Sequence, residues 1–169
     1  MRKAIAAIDS ISEWTGKTAR WACVALILVL VYEVTARYVF NAPTIWAHDL
    51  TTMLLCTIAA LGWAYTHHRH GHVRVDVFYV HLSERGKAIV DICGFLIFLF
   101  PLVFILTQTA VSRMLFTWSL GERLLMSYWY PPAGPIRTVL LLGLAIFGLQ
   151  AIAQFIRDIH LLIRNTPYD

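Results

Sequence analysis

Two ionisable residues stand inside an apolar run, and they are the first candidates for chemistry. Glu33 and Arg37 fall within residues 21–40, and four residues of separation puts them on one helix face, with Glu33 about 18 Å along the run and near the middle of a bilayer it would cross. A charged side chain at that depth costs roughly 2.5–3.5 kcal/mol on insertion scales, so residues of this kind pair, bind or carry protons. Two readings follow: an ion pair that neutralises itself or packs against a partner helix, and a titrating carboxylate at a proton or substrate site. The pair carries more weight, because a guanidinium one turn away keeps a carboxylate ionised instead of poised near neutral pH.

The run His67, His68, Arg69, His70, Gly71, His72 raises metal binding, since neutral imidazoles ligate zinc, copper and nickel. It holds no Cys and crowds its ligands into a connection with no rigid support, so a solvated basic loop is the expectation. Cys23, Cys56 and Cys93 lie in apolar stretches without CxxC spacing and read as small buried hydrophobes. No phosphate-binding loop, nucleophile elbow or catalytic dyad is present. The reading is a non-enzyme without a cofactor.

The elements that position these residues follow from composition. Of 169 residues, 59% are hydrophobic and 14% charged, against about 25% charged in soluble domains. That excludes a soluble enzyme, which must cover its core with polar side chains. Four runs, at 21–40, 46–65, 88–111 and 136–156, approach the roughly 20 apolar residues a spanning helix needs. The expected fold is an all-α integral membrane protein, a single domain of four transmembrane helices. Ten of the 14 Lys and Arg residues, namely Arg2, Lys3, Lys17, Arg20, Arg69, Arg74, Arg85, Lys87, Arg157 and Arg164, fall on one side of these spans. Arg37, Arg113, Arg123 and Arg137 are left for the other. The positive-inside rule then puts both termini in the cytoplasm, and basic residues so dispersed give no nucleic-acid face.

Asp9, Ser10, Ser12 and Glu13 occupy the place of a signal-peptide core, so the first span is expected to persist as an anchor. Ile5, Ile8, Ile11 and Trp14 recur every third residue, which fits a short amphipathic helix in the membrane interface or an extension of the first span. Pro43 ends the first helix, with Thr44 the expected N-cap of the second. The inner connection, 66–87, alternates Val73, Val75 and Val77 as a strand would, yet also carries Val73, Val77 and Val80 at helical spacing. The outer connection, 112–135, is rich in aromatic residues and is expected to lie on the membrane or another protein. Gly143, Ala145 and Gly148 offer a smooth surface for helix contact, with Gln150 and Gln154 able to bond across it. The acidic and basic residues of spans one and two have no counterparts in spans three and four, so no internal repeat is visible and an inverted-repeat transporter is unsupported.

The stretch from Tyr32-Glu33-Val34-Thr35-Ala36-Arg37-Tyr38 through Asn41-Ala42-Pro43-Thr44-Ile45-Trp46, with His72-Val73-Arg74-Val75-Asp76 and the Pro131 to Pro135 entry to the last span, resembles the small membrane subunit of TRAP transporters, the DctQ-like proteins. The match runs in order through nearly the whole chain, departing at His48-Asp49, where the family commonly has a Glu-rich start. The resemblance implies a small subunit of a sodium-coupled importer of organic acids, without a transport site of its own. Its partners would be a large multi-span membrane subunit, a periplasmic substrate-binding protein and membrane lipids. It further implies Glu33, Arg37, Arg74 and Asp76 as an interface or structural ion-pair set, and Arg113, Glu122, Arg123 and Asp49 as a docking surface for the binding protein. The competing reading is an independent proton-coupled small exporter that uses Glu33.

Overall fold

Long runs free of helix breakers make long helices, and the computed structural model, which describes residues 2–69, 82–125 and 128–164, is built almost entirely of them. The order is α1 (Arg2–Tyr38), α2 (Ala47–His68), α3 (Glu84–Gly94), a π-helical turn (Phe95–Leu99), α4 (Phe100–Leu120) and α5 (Gly134–Arg164). The π turn joins α3 and α4 without a break, so the described residues form four rods and no β-strand. Three rods, α1, α3–α4 and α5, are long and apolar enough to cross a membrane. The fourth, α2, has 22 residues, about 33 Å. It bears His48 and Asp49 at one end and His67 and His68 at the other, and it packs against both α1 and α5.

Each helix stops for a local reason. Asn41 takes a left-handed φ of 50°, which Asn tolerates better than most residues, and Ala42 N–H closes the end on the Ala36 carbonyl at 2.9 Å. Thr44 is not the N-cap expected from the sequence: α2 begins at Ala47 after Trp46 with no side-chain cap, and the Thr44 hydroxyl donates instead to Glu33. Ser83 does cap α3, its Oγ accepting from Gly86 N–H at 3.2 Å. Pro101 lacks an N–H, and its ring crowds the carbonyl four residues back. The π turn just before it widens the helix there, with Phe100 N–H reaching back to the Phe95 carbonyl. The rod then runs to Gly121, whose φ of 61° ends it.

Two expectations change and one alternative is resolved. Of the two readings of residues 2–20, the extension of the first span holds: they are the first turns of α1, 37 residues long, about 55 Å and well beyond the hydrocarbon thickness. Its buried face is Ile5, Ser12, Gly16 and Ala19, whereas Ile11 and Trp14 are exposed. A three-residue step falls about 60° short of a full turn, so the Ile5 to Trp14 stripe winds to the far side in three steps. The outer connection also shrinks, because Met114 to Trp118 are helical in α4. The inner connection shortens in turn: α2 continues through His67 and His68, leaving 70–81, and with it the strand-or-helix question, outside the described residues.

The rods meet over small residues. Ala60 and Ala64 of α2 and Ala151 and Ala153 of α5 are essentially unexposed. An added Cβ at Gly143 would stand 2.5 Å from the Ala60 carbonyl oxygen. Gly148 is less tight, with Val103 at 3.3 Å from such a Cβ, and Ala145 faces outward. Gly143→Ala is therefore expected to lower stability by about 1–3 kcal/mol, read as thermal unfolding in detergent. Gly62→Ala, where the space is open, should be neutral or slightly stabilising.

Candidate functional site

The polar residues gather in three clusters. The first joins α1, α2 and α5 at the end where α1 begins and α5 finishes. Asp9 on α1 accepts from Arg157 and, at 3.0 Å, from the Gln150 amide, both on α5. His68 Nδ1, in the last turn of α2, lies 3.2 Å from Asp9 and 3.3 Å from Gln150 Nε2. Ser12 donates to Gln150 Oε1 at 2.8 Å, and neither Ser12 nor Gln150 has exposed surface. Beside this knot Arg69 pairs with Glu13 at 2.5 Å. His67 turns the other way, edge-on to Phe95 at 5.7 Å and Phe147 at 5.5 Å.

The second cluster closes the α1–α2 hairpin. Arg37 bridges to Glu33 Oε1 at 2.5 Å, while Glu33 Oε2 accepts from the Thr44 hydroxyl and, at 3.2 Å, the Thr44 N–H. The carboxylate thus ties the last turn of α1 to the connection after it. Tyr32 stacks on Trp46 at 5.7 Å across the same turn.

The third cluster lies in the α4–α5 connection. Arg137, in the first turn of α5, forks onto Glu122 with bonds of 2.7 and 2.8 Å and also donates to the Thr117 hydroxyl. Leu124 N–H to Pro131 O at 2.9 Å and Ala133 N–H to Glu122 O at 3.0 Å fold the connection back on itself. The bonded Arg137, and then Thr117, hold the Glu122 carboxyl below its ordinary value against the desolvation that opposes ionisation.

Most sequence candidates find intrachain work. Glu33 pairs with Arg37 as the spacing predicts. Glu122, expected on a docking surface, is bound to Arg137, and Asp49, expected there too, is only 2% exposed. Arg113 and Arg123 remain exposed, with Arg123 donating to the Tyr130 carbonyl at 3.4 Å. Arg74, Asp76, His70 and His72 lie outside the described residues. The solvated-loop expectation fails for His67 and His68, both half-buried and helical. Gln150 bonds across helices as expected, whereas the Gln154 amide donates along its own helix to Asp158 at 3.0 Å. The sequence reading missed Asp9, His68 and Arg157 as one group because they come from three helices. The available signal was Gln150, a polar residue inside the apolar run 136–156. Among the described residues no group of three or more His, Cys, Asp or Glu is placed to hold a metal ion.

A family model described as "Tripartite ATP-independent periplasmic transporters, DctQ component" matches residues 26–161. Over 63 residues the chain is 29% identical to the sialic acid TRAP transporter small permease protein SiaQ of Vibrio cholerae, covering 37% of this chain and 36% of that protein. Over 69 residues it is 29% identical to the sialic acid TRAP transporter permease protein SiaT of Haemophilus influenzae, covering 41% of this chain and 11% of that protein. The aligned stretches therefore span well under two thirds of either relative.

Two outcomes test these clusters. Gln150→Leu should cost about 1–3 kcal/mol, since Ser12 and Asp9 lose a buried partner, and differential unfolding should show it. For Glu122, a depressed folded pKa means its stabilisation is complete above the ordinary carboxylate range and is lost as pH falls through the lowered value. The difference in proteolytic sensitivity of the α4–α5 connection between Glu122→Gln and the unaltered chain should thus be constant near neutrality and close on acidification.

Proposed function

The chain belongs to the DctQ family of TRAP transporter components, and from that premise we propose that it serves as the scaffold subunit of a sodium-coupled, binding-protein-dependent importer of organic acids. Family membership and the long apolar helices make it a multi-pass inner-membrane transport component and not a catalyst. The proposal adds a large multi-span membrane subunit as its partner and a periplasmic binding protein that docks on its outer end. Sialic acid, named in both relatives, is a carboxylate of the class proposed as cargo.

One observation carries the scaffold role. Three carboxylates, Asp9, Glu33 and Glu122, each accept bonds from an Arg of the same chain. Meanwhile the α3–α4 rod leaves Ile97, Phe98, Leu102, Phe104 and Ile105 exposed along its length, an apolar face suited to a large membrane neighbour. An exporter working through Glu33 would need that carboxylate free to exchange protons, and its bonds to Arg37 and Thr44 oppose this.

The proposed orientation puts both termini in the cytoplasm. The charge count assigns the N-terminus, the end of α2 and the C-terminal segment to one side, and the contacts of Asp9, His68 and Arg157 are consistent with that grouping. Arg113 and Arg123 then face the periplasm, where exposed charges would set encounter rate and register with the binding protein more than final affinity.

Purification of the tagged chain from native membranes is expected to bring down one large multi-span protein in near-equal amount. Glu33→Gln should lower the yield of that complex, because Arg37 loses its counter-charge. Transport of organic acid or cations by the purified chain alone in liposomes, abolished by Glu33→Gln while the complex still assembles, would overturn the scaffold reading.

A further inference from the structure

The first turns of α1 carry four basic residues, Arg2, Lys3, Lys17 and Arg20, and two acidic ones, Asp9 and Glu13. Asp9 is bound to Arg157 and lies beside His68, and Glu13 pairs with Arg69. Both acids are thus neutralised within the bundle. Lys17 and Arg20 are exposed, and neither forms an ion pair with a described residue. They stand where the helix changes from charged to apolar, and Trp14 and Trp21, 69% and 76% exposed, bracket them. Lys17 Nζ sits 5.8 Å from the centre of the Trp14 ring. A groove of about 520 Å³ runs between these side chains, lined by Trp14, Lys17, Thr18, Arg20, Trp21 and Val24. Val24 and Leu28, both exposed, continue it at helical spacing along the apolar part of α1.

We propose that this groove binds the headgroup of an anionic phospholipid. Lys17 and Arg20 hold the phosphate, Trp14 and Trp21 lie at the level of the headgroups, and one acyl chain runs over Val24 and Leu28. The charge supports it: two cations without acidic partners at a membrane surface attract anionic lipid. The tryptophans support it too, since amphipathic rings with one apolar side and one wet side collect at this level. A protein partner fits less well, because Lys is depleted from protein interfaces whereas a headgroup leaves the ammonium hydrated.

The test uses the full-length chain in mild detergent, offered phosphatidylglycerol and phosphatidylcholine with identical acyl chains and read by native mass spectrometry. Phosphatidylglycerol should be retained preferentially. Removing each charge should weaken that retention about fivefold, and Lys17→Gln with Arg20→Gln roughly thirtyfold, with phosphatidylcholine unchanged. Arg123→Gln, at the other end of the bundle, should have no effect. In the unaltered chain, brominated phosphatidylglycerol should quench tryptophan fluorescence more than brominated phosphatidylcholine, and Trp14→Phe with Trp21→Phe should abolish the difference. Equal retention of the two lipids, or retention of phosphatidylglycerol indifferent to the double charge variant, overturns the proposal. So does loss of a co-purifying membrane protein in that variant while phosphatidylglycerol stays bound, which would make the groove a protein interface.

Discussion

Apolar helices in lipid gain little from burying hydrocarbon against one another, because the surrounding acyl chains are as apolar as the neighbouring helix. Close backbone approach and polar bonds must supply the association instead. Gln150 is where the two coincide. Its carboxamide has no exposed surface, yet it contacts Ser12, Asp9 and His68. That joins α5 to both α1 and α2. The neighbouring alanines let the backbones come near enough for those bonds to form, so the seam of small residues and the polar knot depend on each other.

The same chemistry recurs at three places. Asp9, Glu33 and Glu122 each accept from an Arg and from a second donor: the Gln150 amide, the Thr44 hydroxyl and the Thr117 hydroxyl respectively. A lone carboxylate near a membrane is costly, and a lone guanidinium is too. Joined and given a further hydrogen bond, they are neutral as a unit and directional as a clasp. The three clasps fasten three different junctions: the knot of α1, α2 and α5, the α1–α2 hairpin, and the connection from α4 into α5. A frame held this way has these three carboxylates committed to holding it together. Its exposed surface includes an apolar face on the α3–α4 rod, a basic-aromatic one on α1, and Arg113 and Arg123 at the other end, and this division of surfaces underlies the scaffold reading.

Much of this architecture was legible in the residues. Scarcity of charge and long apolar runs specify membrane helices whatever their packing, since hydropathy is a property of composition. Glu33 and Arg37 were legible as a pair because four residues of separation makes a local contact. Family resemblance was legible from the order of short motifs from Tyr32 to Pro135. Helix ends were less so: Met114 to Trp118 read as an aromatic loop, and His67 with His68 as a basic one. Neither segment contains a residue that stops a helix, and a helix continues until something stops it.

What the sequence by itself determined is therefore local and compositional: helix rather than strand, membrane rather than water, a break between the first two helices near Pro43, and one ion pair within a single helix. What only the tertiary structure decided is which groups meet across long separations. Asp9 and Arg157 are 148 residues apart, and Glu122 meets Arg137 only because the connection between them folds back. The packed face of α1, through Ser12 and Gly16, is likewise set by where α2 and α5 lie and not by the most hydrophobic stripe. The physical reason is that in lipid most faces of such a helix are equally tolerable. Polar bonds and close approach select among them, and both are properties of two helices at once.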